Sequence, residues 1–363
     1  MAPEHWWSTY WTMLDEYLSK LNDIIDPDLL ARSESRFRAA VLYEPVDRLP
    51  MIVSCPVPGW PTFSYRESFY DMEKMLANEL AGVWMSAHIG DDRVYMVRAN
   101  YGVGTIASMF GCEIVLTDDN SMPWCTHLSD EQLDKVLESG EVDIEAGLGR
   151  RVAETVRFYQ EALSRYDKLA QCVRIFCCDT QGPFDVAHLV MGHKIYTEIY
   201  DNPDRVHRLL ELTTEACIRM TRAQKELIGE SGCWSRHSHM LIRGGVRICE
   251  DTPINLLPEF YVEFPKRYNE RILREFGGGW IHYCGSGRQI LHEVLSTPGV
   301  TGINFGNPEM QDIAEVYRAA SARKVPVLGW RPDTPLPDDI TTGITLSVGA
   351  ADLESARAMV GPR

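Results

Sequence analysis

Gly277-Gly278-Gly279-Trp280-Ile281-His282-Tyr283-Cys284-Gly285 reads as a glycine turn, a short apolar run, and a His-x-Cys pair closed by glycine. Side chains alternate faces along a β-strand, so a strand over 280–284 projects His282 and Cys284 to the same side. An imidazole nitrogen and a thiolate sulfur on one face are borderline-soft donors that suit Zn²⁺. The competing reading is a buried, hydrogen-bonded histidine beside an inert apolar thiol.

The same unit, an apolar strand ending in polar residues and followed by a helix, recurs through the chain. Cys172–Cys178 is an apolar run that ends at Asp179, and helices are predicted over 185–191, 194–200 and 203–228. Val246-Arg247-Ile248-Cys249 ends at Glu250-Asp251, with a helix predicted over 258–276. Further strands are expected at 51–53, 94–97, 112–116, 302–305 and 325–330. Strand and helix in alternation imply a parallel sheet with crossover helices. The tally is about eight strands, and no G-x-G-x-x-G follows any of them, which favours a (β/α)8 TIM barrel over an open doubly wound sheet. In such a barrel the strand ends that carry Asp179, Glu250, Asp251, His282 and Cys284 face the catalytic mouth. Trp7, Tyr10, Trp11, Leu14, Tyr17, Leu18 and Leu21 have helical spacing. They predict an amphipathic N-terminal helix that caps the barrel or lies in a homodimer interface. Residues 1–34 are thus expected to be a helical extension and 35–363 the barrel.

Composition narrows the function. The chain has 363 residues, 45% hydrophobic and 24% charged, with a net charge of −16. That charge argues against nucleic acid or an anionic membrane as partner. No apolar run is long enough to span a bilayer, and the first ten residues lack the basic start of a signal peptide. The ten cysteines show no CxxC pair or framework spacing and read as reduced thiols in a cytoplasmic protein.

Several segments together resemble the uroporphyrinogen decarboxylase superfamily. They are Phe37-Arg38-Ala39-Ala40-Val41 through Asp47-Arg48-Leu49-Pro50, then Asp179-Thr180-Gln181-Gly182-Pro183-Phe184. Glu250-Asp251-Thr252 with Pro258-Glu259 follows, and finally His282-Tyr283-Cys284-Gly285. The resemblance implies a TIM barrel with its site at the C-terminal mouth. The superfamily's decarboxylases hold a polycarboxylate with an arginine-rich segment after the first strand. Here that place reads Cys55-Pro56-Val57-Pro58-Gly59-Trp60, without the guanidinium partners such a substrate needs. The other branch contains corrinoid-dependent methyltransferases that bind zinc through H-x-C and a later cysteine. His282 and Cys284 match the first two ligands. The third position falls near Ile344–Ala350, which holds alanine, and no cysteine follows Cys284.

The resemblance therefore implies an enzyme that moves a methyl group between a corrinoid, supplied by a partner protein, and a small thiol-like acceptor activated by zinc. Glu250 is the first choice for the missing ligand or a general base, and Cys249, His237 and His239 are the alternatives. Neighbours in a strand alternate, so Cys249 points opposite to Glu250. Asp179 and Asp251 are candidates for orienting or acid-base work, although each also suits a strand-end cap. Arg243, Arg288, Arg331 and His239 are candidates for substrate contact, although Gly244-Gly245 beside Arg243 more often marks a tight turn. The rival enzyme reading is a decarboxylase of a porphyrinogen or a smaller acid. A non-catalytic barrel that carries a corrinoid or tetrapyrrole is the third.

Overall fold

A computed structural model describes residues 12–332 and 335–361. Trp7, Tyr10 and Trp11 of the predicted N-terminal helix lie outside the described residues. The rest of that prediction is the helix Thr12–Ile24, which buries Leu14, Leu18 and Leu21 along one side. Asp26 then caps the helix Pro27–Val41 through its carboxylate on the amides of Asp28 and Leu29, as an N-cap carboxylate does for the first orphan N–H groups.

The strands in chain order are β1 (Met51–Ser54), β2 (Met96–Val97), β3 (Ile114–Val115), β4 (Trp124–Cys125), β5 (Arg174–Ile175) and β6 (Trp234–His237). They continue with β7 (Met240–Arg243), β8 (Val246–Cys249), β9 (Gly279–Tyr283), β10 (Val300–Phe305), β11 (Val327–Trp330) and β12 (Ile344–Gly349). A six-stranded sheet runs β1-β12-β11-β10-β9-β8, and β2 pairs with β5. Every pairing in these two sets is parallel. Two backbone hydrogen bonds join them, Asp92 N–H to Met51 O at 3.0 Å and Gly182 N–H to Cys249 O at 2.8 Å. The eight parallel strands thus form the (β/α)8 barrel, with helices such as Met72–Ile89, Gly149–Ser164 and Pro203–Ile228 outside it. Among the described residues no helix is long and apolar enough to cross a membrane.

The membership of the eight differs from expectation in two places. The predicted strand at 112–116 is β3, which pairs antiparallel with β4 in a hairpin of its own. Its place in the barrel is taken by β12, whose residues Ile344-Thr345-Leu346 are buried and pair with β11 and β1. A second antiparallel hairpin, β6–β7, contacts β9 and β10. Its turn residues Ser238 and His239 have φ of 49° and 62°, a left-handed conformation costly for residues other than glycine. The turn is held by Val94 N–H donating to His239 O at 2.9 Å.

Candidate metal centre and substrate cavity

Strand register builds the centre. Cys249 of β8 is the Cα partner of His282 in β9, and His282 is the partner of Asn304 in β10. Register partners in a parallel sheet share a face, so these three side chains form a row inside the barrel. Cys249 Sγ, one oxygen of Asp251 and a ring nitrogen of His282 all lie within 4.8 Å of one another. His282 Nε2 is 3.9 Å from Asp251 Oδ1 and 3.5 Å from Cys284 Sγ. Cys249 Sγ is 3.3 Å from Asp251 Oδ2. The Cys284 N–H donates to Asp251 Oδ1 at 2.6 Å, which turns that carboxylate toward the imidazole. A Cβ on Gly306 would stand 2.3 Å from Cys284 Sγ, so only glycine leaves the thiol its place.

The tautomer of His282 follows from its neighbour. Asn304 Nδ2 donates to the carbonyl of Leu328 at 2.5 Å, so its Oδ1 must face His282 Nδ1, also at 2.5 Å. An oxygen there accepts, so Nδ1 carries the proton and Nε2 keeps its lone pair toward Asp251 and Cys284. Burial, and then the Arg247 charge, push the imidazole down to about 4, which keeps it neutral at neutral pH. Burial and then Asp251 push the Cys284 thiol up to about 12, and burial raises Cys249 as well. An imidazole lone pair, two thiols and a carboxylate form the N, S and O donor set of zinc. The donors that face one another fit the ion implied by the sequence resemblance.

The other predicted residues fall in different places. Glu250 follows Cys249 on the opposite face and is fully buried against Asn269 and Tyr261, outside the barrel wall. It is not among the converging donors. Burial raises its pKa well above the ordinary value, so it sits there as a neutral acid. Asp179 is the centre of a buried ion-pair group, with Arg98 Nη1 at 2.5 Å, Arg247 Nη1 at 3.1 Å and His237 Nε2 at 3.9 Å. Burial opposes its charge, but the two guanidiniums prevail and hold it at about 2. Such a group does not serve as a base near neutral pH. Arg243 is exposed at the end of β7, beside the start of β8 and so at the end of the barrel away from His282. Arg288 is exposed and donates to Met310 O.

His239 and Arg331 do meet His282 in one cavity of about 300 Å³, whose wall also includes Ser54, Arg93, Asn304 and Gly306. This is in the size range of small-molecule sites. Among the described residues its lining includes two arginines and two histidines but no Asp or Glu. Arg93 has 7% of its side chain exposed, and its Nη2 donates to Val53 O and Ser54 Oγ. Sequence reasoning missed Arg93 because it follows two aspartates in Asp91-Asp92-Arg93 and looks like part of a solvated charge run. It also missed Asp185, whose carboxylate accepts the amides of Asp251 and Thr252 at 2.9 and 2.8 Å and so fixes the loop after β8.

With this geometry in hand, the family model described as Uroporphyrinogen decarboxylase (URO-D) matches residues 32–330. The chain belongs to the uroporphyrinogen decarboxylase family. Among solved structures it resembles a methyltransferase from Methanosarcina mazei at a TM-score of 0.64 and 20% identity, covering 90% of this chain and 97% of that one. That likeness is one of fold. No curated protein matches the chain by sequence. Within the URO-D family, this member's barrel brings Cys249, Asp251, His282 and Cys284 together at the C-terminal ends of β8 and β9.

Proposed function

We propose that this URO-D family member is a methyltransferase-like enzyme. It moves a methyl group between a corrinoid, supplied by a partner protein, and a small thiol or similar acceptor. The observation that carries the reading is the convergence of Cys249, Asp251, His282 and Cys284 at the barrel mouth. These residues would hold zinc, which when bound draws charge from a coordinated thiol and lets it exist as thiolate at neutral pH. Asn304 keeps the His282 lone pair on the donor side, and Asp185 holds the backbone from which Asp251 projects. Arg93, Arg331 and His239 line the adjoining cavity and suit an anionic group on the acceptor, paired with a guanidinium out of bulk water. The reading keeps the reaction in the cytoplasm, where the thiols stay reduced.

The test is metal analysis of purified protein together with methyl transfer from methylcobalamin to small thiols, with Cys249→Ser and Cys284→Ser as controls. At least one zinc per chain, with one equivalent lost together with transfer in the variants, is the expected result. Metal-free protein with unchanged activity in the variants would overturn it. The arginine-bearing cavity also favours a second reading, decarboxylation of a small carboxylic acid. Release of carbon dioxide from such an acid, with no methyl transfer, would select that reading.

A further inference from the structure

Away from the barrel mouth, three imidazoles from separate segments face one another. His127 follows β4, His188 lies on the helix Pro183–Met191, and His193 lies in the turn Gly192–Lys194. We propose that His127, His188 and His193 form a second metal site, for a divalent transition-metal ion of the zinc, cobalt or nickel kind. The inference stands independently of the function proposed above.

Their hydrogen bonds decide which nitrogens are free. His127 Nδ1 is 2.8 Å from the Leu189 carbonyl and must donate to it, so Nε2 keeps the lone pair. His188 Nδ1 is 3.2 Å from Thr252 Oγ1, and a hydroxyl oxygen can accept from a ring N–H there. With the proton on Nδ1, His188 Nε2 keeps its lone pair. That nitrogen lies 3.1 Å from His193 Nδ1. A ring N–H held by a carbonyl or another fixed acceptor is the outer support that metal-ligating histidines usually have.

The spacing of His188 and His193 fits one ion, while His127 stands farther off. The ring centroids of His188 and His193 are 5.1 Å apart, and His127 is 6.1 Å from each. Imidazoles around a tetrahedral ion stand about 5 Å apart by centroid, so His188 and His193 already have that separation. Ligation by His127 requires its exposed ring to turn inward about its side-chain torsions, because its nitrogens do not lie within 4.8 Å of both partners. The glycine at 192 keeps that space open, because a Cβ there would meet the His127 ring at 2.9 Å. The nearest cation in sequence, Lys194, is tied to Asp130 at 2.7 Å. Three nitrogen donors without a carboxylate select a borderline divalent ion over Mg²⁺ or Ca²⁺.

Titration of the metal-stripped full chain with Co²⁺, read by absorption and by bound metal per chain, tests the site. A cobalt ion among the barrel thiols gives sulfur-to-metal charge-transfer absorption, and one held by three imidazoles does not. The expected result is an equivalent of Co²⁺ that adds no charge-transfer band. It weakens about tenfold or more in His127→Ala and in His193→Ala, both exposed positions, while any thiolate band is unchanged. A barrel without metal would remove the charge-transfer band but leave this equivalent in place, which separates failure of the proposed function from failure of the second site. Absence of the band-free equivalent, or its retention at equal affinity in both variants, overturns the proposal.

Discussion

Replacing Asn304 by leucine tests how the barrel sets the donor atom of His282. The Asn304 amide is fixed at one end by the Leu328 carbonyl and accepts from His282 Nδ1 at the other. The His282 side chain is only 14% exposed, so water cannot fully replace the lost acceptor. Either the buried Nδ1–H is left unpaired, at a cost of about 1–3 kcal/mol, or the proton moves to Nε2 and the lone pair is lost from the donor cluster. Both outcomes weaken metal binding. Loss of an outer hydrogen-bond partner of this kind costs about 10–100-fold in affinity, equal to about 1.4–2.8 kcal/mol. The assay is zinc competition against a chromophoric chelator at fixed pH, with circular dichroism to confirm the fold. Asn304→Asp keeps an acceptor facing Nδ1, though it gives up the bond to Leu328, and should bind zinc at least as tightly as the parent. A folded leucine variant with parental affinity, or an aspartate variant as weak as leucine, would refute the reasoning.

Three further outcomes follow from the same geometry. Cys249→Ser should lower bound zinc as strongly as His282→Ala, whereas Glu250→Gln should leave it unchanged, as read by elemental analysis of purified protein. Asp179→Asn leaves Arg98 and Arg247 without their shared partner. The loss of about 3–5 kcal/mol expected for a broken buried ion pair lowers the calorimetric melting temperature by about 4–7 °C for a chain of this length. Asp179 also sets a pH signature. Its folded pKa of about 2 lies below the ordinary 3.8, so its stabilisation is complete above pH 4 and is lost as pH falls toward 2. That lost contribution is about 2 kcal/mol, and the acid limb of stability should be flatter in the asparagine variant. Arg93→Met should raise KM for an anionic acceptor about 10–100-fold, the value of a charge-assisted hydrogen bond, and should leave bound zinc unaltered; steady-state kinetics with charged and neutral thiols checks it.

Local pattern made much of the barrel legible. Apolar runs at 246–249, 302–305 and 325–330 lie on barrel strands, and the helix expected over 203–228 has those bounds. The hairpin β6–β7 was not legible, because its turn is Ser238-His239 rather than a glycine-bearing pair. Those residues take positive φ only because Val94 and the surrounding barrel hold them there. Arg93 and Asp185 were missed for a related reason: what each does depends on partners distant in sequence. The histidine cluster joins residues 127, 188 and 193, and no spacing rule connects them.

The sequence by itself determined that His282 and Cys284 share a side, since a two-residue repeat is a property of the extended chain alone. It also determined that Cys249 and Glu250 point opposite ways. Which of those two faces His282 was decided only by tertiary structure. Alternation is symmetric about the strand, and the choice between inside and outside is made by the register that pairs Cys249 with His282 and leaves Glu250 among the helices.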